Sequence, residues 1–251
     1  MNREATGLAG VRHIDYETLG STNAEALALA RAGERGPLWL TATRQSSGRG
    51  RRGSQWISPP GNLYATLLLT EPSSPAVAPQ LSFVTALAVH DAIAGCAPQL
   101  GPLVNVKWPN DLLIERKKVA GILIEAESDP SFSVVVGIGV NCAVHPDTTD
   151  YPATDLAASG ARVVPEALFP VVAAAMERRL AQWDRGRGFA EIRHDWLKRA
   201  GGLGEMLQVR LSERNLSGRF DGLDESGRLL LNEGGRVTAV AAGEVFGFGG
   251  R

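Results

Sequence analysis

The stretch LWLTATRQSSGRGRRGSQWISPPGNLYATLLL, residues 38–69, contains the most informative local pattern of the sequence. Residues 38–42 and 62–69 are apolar and rich in strand-forming side chains, which predicts two sheet strands. Between them, residues 44–53 concentrate four arginines and three glycines. Glycine lets a ligand approach the backbone closely, and guanidinium groups match phosphate and carboxylate oxygens. The pattern predicts an anion-binding loop held between two strands.

Two phosphate-binding motifs share the glycine spacing of this loop, and the following residues argue against both. A dinucleotide fingerprint requires a helix directly after the last glycine, whereas SQWISPP follows at residues 54–60. A P-loop requires Lys and then Ser or Thr where Ser54 and Gln55 occur. A solvated loop and a nucleic-acid contact stay open beside a small-molecule phosphate site.

Composition restricts the class of protein. The 251 residues include 26 Lys and Arg against 27 Asp and Glu, so the basic excess of a general nucleic-acid binder is missing. The N-terminus lacks a signal pattern and no apolar run approaches the ~20 residues of a membrane span, so we expect a cytoplasmic protein. Cys96 and Cys142 form no CxxC pair, which predicts reduced, buried thiols rather than a zinc site or a disulfide framework.

The order of the other elements predicts an α+β fold. Apolar spacing and capping residues predict helices over residues 24–31, 81–93, 165–182 and 189–200. Alternating or continuous apolar runs predict strands over residues 13–16, 104–114, 119–125 and 133–140. The segment 104–114 contains two short strands around a turn, and the last two strands are expected to be antiparallel neighbours. Residues 143–158 form a long polar loop of the kind that is often functional.

The pattern changes after Gly202. Short predicted strands separated by turn residues occupy residues 208–211, 217–223, 228–231 and 237–240. They predict a small β-barrel of roughly fifty residues. We place the boundary between a first domain, residues 1–202, and a second, residues 203–251.

Five motifs, taken together and in order, resemble those of biotin protein ligases. They are LGSTN at residues 19–23, Gln45 followed by GRGRRG at residues 48–53 and Trp56, KWPND at residues 107–111, KKVAGIL at residues 117–123, and GIGVN at residues 137–141. The resemblance covers most of the chain. It implies a class II synthetase-like catalytic domain, with a mixed, largely antiparallel sheet packed with helices, and an SH3-like C-terminal barrel.

The resemblance implies a reaction in two steps. Biotin reacts with ATP, accompanied by Mg²⁺, to form biotinyl-5′-AMP, and the biotinyl group then passes to a lysine of a biotin carboxyl carrier protein, a subunit of acetyl-CoA carboxylase or of a related carboxylase. A carboxylate that approaches a triphosphate must overcome like-charge repulsion, so fixed cations are required. A lipoate or octanoate ligase or transferase is the alternative, but Thr22, Asn23 and Gln45 favour a polar bicyclic head over a long apolar tunnel. A nucleic-acid-binding module and a non-catalytic biotin-binding regulator are the two further alternatives.

The resemblance also implies roles for individual residues. The predicted catalytic residues are Lys118, Arg51 and Arg49. The predicted biotin contacts are Ser21, Thr22, Asn23, Gln45, Arg49, Gly50, Arg51 and Lys118. The predicted nucleotide contacts are Arg52, Trp56, Lys107 and Asn141. Asp111 is predicted to bind metal or to accept a proton from the incoming lysine, with a structural salt bridge as the alternative. Trp108 is expected in the core, and Trp56 either in the core or stacked on adenine.

Two expectations concern the whole chain. Some members of the family carry an N-terminal DNA-binding domain, whereas the first motif here begins at residue 19, so we expect no DNA binding. We also expect residues 46–53 to act as a lid that orders over the adenylate and excludes water. The oligomeric state stays open, and a homodimer is allowed.

Overall fold

A computed structural model of the protein describes residues 3–6, 11–147, 151–211 and 214–246. The larger part of the described chain is a sheet of eight strands in the order β1-β2-β3-β4-β8-β7-β6-β5. These strands are β1 (Arg3–Thr6), β2 (Arg12–Leu19), β3 (Leu38–Gln45), β4 (Leu63–Thr70), β5 (Val104–Lys107), β6 (Asp111–Ile114), β7 (Lys117–Glu127) and β8 (Ser133–Val140).

The pairing within this sheet is mixed and largely antiparallel, as predicted. Only β2 and β3 run parallel among the described strands. A parallel pair needs a crossover connection, and helix α1 (Thr22–Arg31) makes it. Ser21 caps α1 by accepting a hydrogen bond from the backbone nitrogen of Ala24, 3.5 Å away.

Helices cover both faces of the sheet. Side chains alternate along each strand, so Leu67 packs toward α2 (Leu81–Cys96) and α3 (Pro165–Trp183), whereas Leu68 packs toward α1. Helix α2 is buried on nearly every side because it lies between the sheet and α3. The short helix α4 (Phe189–Leu197) packs beside α2 and α3. This arrangement confirms the expected α+β class.

A second, five-stranded antiparallel sheet follows in the order β12-β11-β10-β9-β13. Its strands are β9 (Met206–Arg210), β10 (Asn215–Leu223), β11 (Leu229–Glu233), β12 (Arg236–Val240) and β13 (Glu244–Phe246). In the described part of the chain its outer strands β12 and β13 do not pair, so the predicted barrel is present as an open sheet there. The short strands β1 and β13 were not predicted, because each is too short to show a periodic pattern.

The two sheets share one hydrophobic core. Phe220 of β10 and Trp108 belong to the same buried cluster, and Trp108 is 3% exposed, which confirms its prediction as a core residue. The indole nitrogen of Trp108 donates to the carbonyl of Gly227 at 3.1 Å. A Cβ atom at Gly227 would lie 2.8 Å from the ring of Phe83 in α2, so close packing requires glycine there.

The two cysteines differ from each other. Cys142 is buried, and burial raises the pKa of its thiol to about 12. Cys96 is only partly buried because α2 ends at this residue, so the prediction of two buried thiols is wrong for Cys96. Both thiols are free. Among the helices that the structure describes, none combines the length and the apolar character that a membrane crossing requires.

Candidate active site

A cavity of about 700 Å³ lies at one end of the large sheet. The first turn of α1, the loop after β3 and strands β7 and β8 line it, and β13 of the second sheet closes one side. The predicted site residues that line the cavity are Ser21, Thr22, Asn23, Gln45, Arg49, Gly50, Arg51, Trp56, Lys107, Asp111, Lys118 and Asn141. Arg52 is exposed and is not part of this lining, so its placement does not support the predicted nucleotide contact.

A polar network fixes the side chains at the α1 end of the cavity. The Oε1 atom of Gln45 accepts hydrogen bonds from the backbone nitrogen of Thr22 at 2.9 Å and from its hydroxyl at 3.1 Å. The Nε2 atom of Gln45 donates to Ser58 at 2.9 Å. Because a backbone N–H can only donate, the contact with Thr22 determines which end of the Gln45 amide is the oxygen. The network therefore presents Gln45 to the cavity in one orientation.

The fully buried Thr66 extends this network toward the sheet. Its hydroxyl lies 2.8 Å from the hydroxyl of Thr22 and 2.7 Å from Oδ1 of Asn23. Strand β4 contributes Thr66 to an otherwise apolar segment. The sequence interpretation missed this residue, although a threonine within the apolar run LYATLLL was a signal that could have found it.

Glycines form the floor of the cavity. Gly121 of β7 and Gly139 of β8 pair across the two strands, and the indole of Trp56 lies over both. A Cβ atom would lie 2.6 Å from the Trp56 ring at Gly139 and 2.9 Å from it at Gly121. At Gly137, a Cβ atom would lie 2.3 Å from the side-chain oxygen of Asn23. The glycines of residues 137–141 therefore leave the space that the side chains of Asn23 and Trp56 occupy. The sequence interpretation did not assign this role.

Trp56 is half-buried within the cavity rather than part of the apolar core. Its Nε1 atom is buried, and no hydrogen-bond partner for it occurs in the described ranges. Buried indole N–H groups usually have a partner. This nitrogen lies against the backbone of Gly139, 2.7 Å from the position that a Cβ atom would take there.

Two lysines give the cavity positive charge near Asp111. Nζ of Lys118 lies 2.7 Å from Oδ1 of Asp111 and 5.3 Å from the centre of the Trp56 ring. Lys107 is 6% exposed, and burial lowers the pKa of its ammonium, with Asp111 and Glu244 acting in the opposite direction. The salt-bridge alternative for Asp111 is thus present in the structure, and its partner is Lys118.

Arg51 connects the arginine-glycine loop to other elements. Its guanidinium donates to the side-chain oxygen of Asn110 at 3.1 Å and to the carbonyl of Gly243 at 3.3 Å. Gly243 directly precedes β13, so the second sheet takes part in holding this side chain. Burial lowers the pKa of Arg51, as expected for a cation partly removed from water.

Arg49 and Asn23 share a partner that does not itself line the cavity. The Glu125 carboxylate on β7 pairs with Arg49 and accepts a hydrogen bond from Nδ2 of Asn23 at 3.0 Å. Asn141 also has local partners, since its Nδ2 atom donates to the carbonyl of Thr154 at 3.0 Å. Glu125 was missed from the sequence because charged residues near a strand end are commonly solvated.

An aromatic stack connects the second sheet to the cavity. The rings of Tyr151 and Phe246 lie 4.8 Å apart and 20° from parallel. Nζ of Lys107 lies 4.2 Å from the centre of the Tyr151 ring, and the guanidinium of Arg210 lies 4.2 Å from that of Phe246. Tyr151 and two residues of β13, Glu244 and Val245, line the cavity without having been predicted.

Comparison with known proteins agrees with the motif order. Residues 21–141 match the biotin/lipoate A/B protein ligase family, and residues 202–246 match the biotin protein ligase C-terminal domain. A biotin–[acetyl-CoA-carboxylase] ligase of Paracoccus denitrificans is 44% identical over 92% of this chain and 98% of its own length. The bifunctional ligase/repressor BirA of Bacillus subtilis is 34% identical over 91% of this chain and 72% of its own length.

A solved structure shows the same similarity in three dimensions. The biotin protein ligase of Aquifex aeolicus in complex with biotin and ATP superimposes with a TM-score of 0.80 at 27% identity, covering 93% of this chain and 97% of its own. The similarity includes both sheets and nearly the whole length of the Paracoccus and Aquifex proteins. The chain therefore belongs to the biotin protein ligase family.

Proposed function

We propose that this protein is a biotin–[biotin carboxyl-carrier protein] ligase. It activates biotin with ATP to biotinyl-5′-AMP and transfers the biotinyl group to a lysine of the carrier protein, a subunit of acetyl-CoA carboxylase or a related carboxylase. The observation that carries the proposal is the combination of two features in one cavity. A fixed hydrogen-bonding end at Thr22 and Gln45 lies beside a cationic end with Arg51, Lys107 and Lys118.

Biotin recognition is assigned to the polar end. The ureido ring of biotin offers both donors and acceptors, which suits Thr22 and Gln45 in their fixed orientations and the hydroxyl of Ser21, which caps α1. The glycines at residues 121 and 139 let the Trp56 indole lie close against the strands, and this indole forms one wall of the space assigned to the bicyclic ring of biotin. The biotin carboxylate then extends toward Lys118.

Adenylate formation is assigned to the cationic end. A carboxylate oxygen of biotin attacks the α-phosphorus of ATP, an anhydride bond forms, and pyrophosphate leaves with the bonding electron pair. Lys118, Arg49 and Arg51 reduce the repulsion between the two anions and stabilise the charge that develops on the phosphate oxygens. The Lys118–Asp111 pair holds the ammonium in place before the substrates arrive.

Transfer uses the same site. The carrier lysine nitrogen attacks the acyl carbon of the adenylate, an amide bond forms, and AMP leaves. The amine must lose a proton during this step, and Asp111 is the carboxylate that we assign as its acceptor. Residues 46–53 act as the lid over the adenylate, residues 1–202 form the catalytic domain, and residues 203–251 form the C-terminal domain.

Mg²⁺ accompanies ATP in the proposed reaction. Within the described ranges, no group of three or more His, Cys, Asp or Glu side chains is arranged to hold a metal ion. Mg²⁺ at nucleotide sites is commonly held by one or two carboxylates together with phosphates and waters, and the Glu244 carboxylate at the cavity fits that need, with Asp111 assigned to the transfer step instead. When bound, the ion neutralises phosphate charge.

Exchange of radiolabelled pyrophosphate into ATP tests the activation step. The proposal predicts exchange that depends on biotin and Mg²⁺ and that lipoate or octanoate does not support. Exchange with lipoate or octanoate in place of biotin would favour the other branch of the matched family. Exchange with none of these acids would contradict the proposed chemistry.

A further inference from the structure

One carboxylate joins two walls of the cavity although it does not line the cavity itself. Glu125 lies on β7, and its side chain is 20% exposed. Its Oε2 atom accepts from Asn23 in the first turn of α1 at 3.0 Å, and its Oε1 atom accepts from Arg49 in the arginine-glycine loop. Asn23 and Arg49 both line the cavity. Glu125 thus acts on the site through two other residues.

The contact with Glu125 fixes the amide of Asn23. The Nδ2 atom of Asn23 also donates to the carbonyl of Leu123 at 3.2 Å, and its Oδ1 atom accepts from Thr66 at 2.7 Å. Both partners of Nδ2 are acceptors, so the nitrogen and oxygen of the amide are unambiguous. Glu125 therefore helps to hold Asn23 with its oxygen above Gly137.

The same carboxylate restrains Arg49. The Arg49 side chain is 46% exposed, and an unrestrained arginine samples many rotamers. The backbone of its loop is held near both ends of the turn, since Gly50 donates to the carbonyl of Ser54 at 2.8 Å and Trp56 to that of Gly48 at 2.9 Å. Glu125 adds the contact that places the guanidinium beside β7.

We propose that Glu125 is a positioning residue that holds Asn23 and Arg49 in the arrangement that binds biotin and its adenylate. This inference rests on the proposed function. A positioning role requires the negative charge at residue 125. A glutamine there still offers an oxygen to Asn23, but its amide nitrogen would then face the guanidinium of Arg49, and two donors do not bind each other.

Kinetics of matched variants test this inference. The variants are Glu125→Gln, Glu125→Asp, Arg49→Gln and the double variant Glu125→Gln/Arg49→Gln. Glu127→Gln is the control, because Glu127 lies on the same strand, pairs with Arg31 and is not part of the cavity lining. For each, the KM for biotin and the kcat of pyrophosphate exchange are measured, together with the dissociation rate of preformed adenylate and the thermal unfolding temperature.

Glu125→Gln should raise the KM for biotin about tenfold, equivalent to ~1.4 kcal/mol, and should also lower kcat, because Arg49 acts in adenylate formation. The adenylate should dissociate faster, Glu125→Asp should restore part of the affinity, and Glu127→Gln should resemble the wild type. Since both single changes remove the same contact, the double variant should be no worse than Arg49→Gln.

Three results would overturn the inference. They are a biotin KM in Glu125→Gln equal to that in Glu127→Gln, fully additive effects in the double variant, and an unchanged biotin KM in Arg49→Gln. Arg49→Gln changes a half-exposed side chain and is expected to fold. It can therefore still contradict the inference if Glu125→Gln does not fold. Failure of the proposed function is distinguishable, because the wild type itself would then show no biotin-dependent exchange.

Discussion

Neighbouring arginines in the loop after β3 have different surroundings, which determine their expected roles. Arg51 is partly buried, contacts Asn110 and the backbone before β13, and lines the cavity. Arg52 adopts a left-handed φ of 52° and is exposed. The sequence motif identifies both as basic residues of one loop. Only the backbone conformation shows that Arg51 faces the cavity and Arg52 faces the solvent.

Replacement of Arg51 by Ala should strongly impair adenylate formation. Removal of one preorganised donor at a developing negative charge lowers rates by about a hundredfold or more, and we expect that loss in biotin-dependent pyrophosphate exchange. The thermal unfolding temperature should change little, because Arg51 lies outside the apolar core. Arg44→Ala, at an exposed position outside the cavity lining, is the control. Wild-type exchange in Arg51→Ala would contradict the assignment.

The glycine floor leads to a second prediction at single-residue scale. In Gly137→Ala the new methyl group would overlap the Asn23 side chain, which the hydrogen bonds to Thr66 and Leu123 hold in place. We expect biotin affinity to fall about tenfold or more by calorimetric titration. Gly20→Ala is the matched control, since no heavy atom lies within 4 Å of its added Cβ. Equal affinities in the two variants would refute the role of the floor.

At the scale of elements, a partly buried charge cluster connects helices α2, α3 and α4. Arg179 of α3 donates to Asp91 of α2 and to Asp195 of α4, in each case at 2.8 Å. Burial alone would raise the pKa of Asp91, but the nearby His90 ring, the hydrogen bond from Arg179 and the positive charges of Arg179 and Arg199 outweigh it and lower the pKa to about 2. The cluster therefore links the helices most firmly when the carboxylates are ionised.

The depressed pKa of Asp91 predicts a pH-dependent contribution to stability. The contribution is complete well above the ordinary pKa of 3.8 and declines as pH falls toward the folded-state value of about 2. Asp91→Asn should lower the free energy of unfolding by about 2 kcal/mol at pH 7, and roughly half of that difference should disappear by pH 3.

Urea unfolding at the two pH values measures this difference. Asp184→Asn is the control, because Asp184 forms an exposed pair with Arg187. A deficit in Asp91→Asn that does not depend on pH would show that the charge is not the cause.

The aromatic stack predicts how β13 affects the cavity. Phe246→Ala removes the ring beneath Tyr151, and Tyr151 in turn lies against the ammonium of Lys107. The aromatic and cation–π contacts of the Phe246 ring contribute about 1 kcal/mol of free energy. Because they are lost, we expect the KM for ATP to rise several-fold while the KM for biotin changes less. Val237→Ala, exposed on the opposite outer strand of the same sheet, is the control. An effect on biotin alone would contradict this assignment of β13 to the nucleotide end.

Much of the element order was predictable because it depends on local patterns. The apolar runs that became β3, β4, β7 and β8 were found, β7 and β8 were correctly expected to be antiparallel neighbours, and the four helices were located within a few residues. Strand β13 was missed because it is defined by pairing with β9, a contact between distant residues. Glu125 was missed for the same reason, since only the folded chain brings it to Asn23. Thr66 differs, because a threonine inside an apolar strand is visible in the sequence.

At the scale of the whole molecule, the two sheets meet at the cavity. The large sheet supplies the floor and the polar end, and the second sheet contacts Arg51, Tyr151 and Trp108. The motifs identified the family from sequence, whereas the contribution of the second sheet to the cavity lining became apparent only in the structure. A single cavity lined by residues of both sheets suits a reaction in which biotin, ATP and a protein lysine react in turn.

Transfer of biotin to a carrier protein is the defining activity of the proposed ligase, and it can be measured directly. The full-length protein is incubated with biotin, MgATP and a purified biotin carboxyl carrier domain, and the carrier is analysed by intact-protein mass spectrometry and peptide mapping. We predict the mass increase of one biotinyl group on a single lysine, dependent on both biotin and ATP. An unmodified carrier would contradict the proposed function. So would modification of many lysines at the rate at which free biotinyl-adenylate reacts with them without the enzyme.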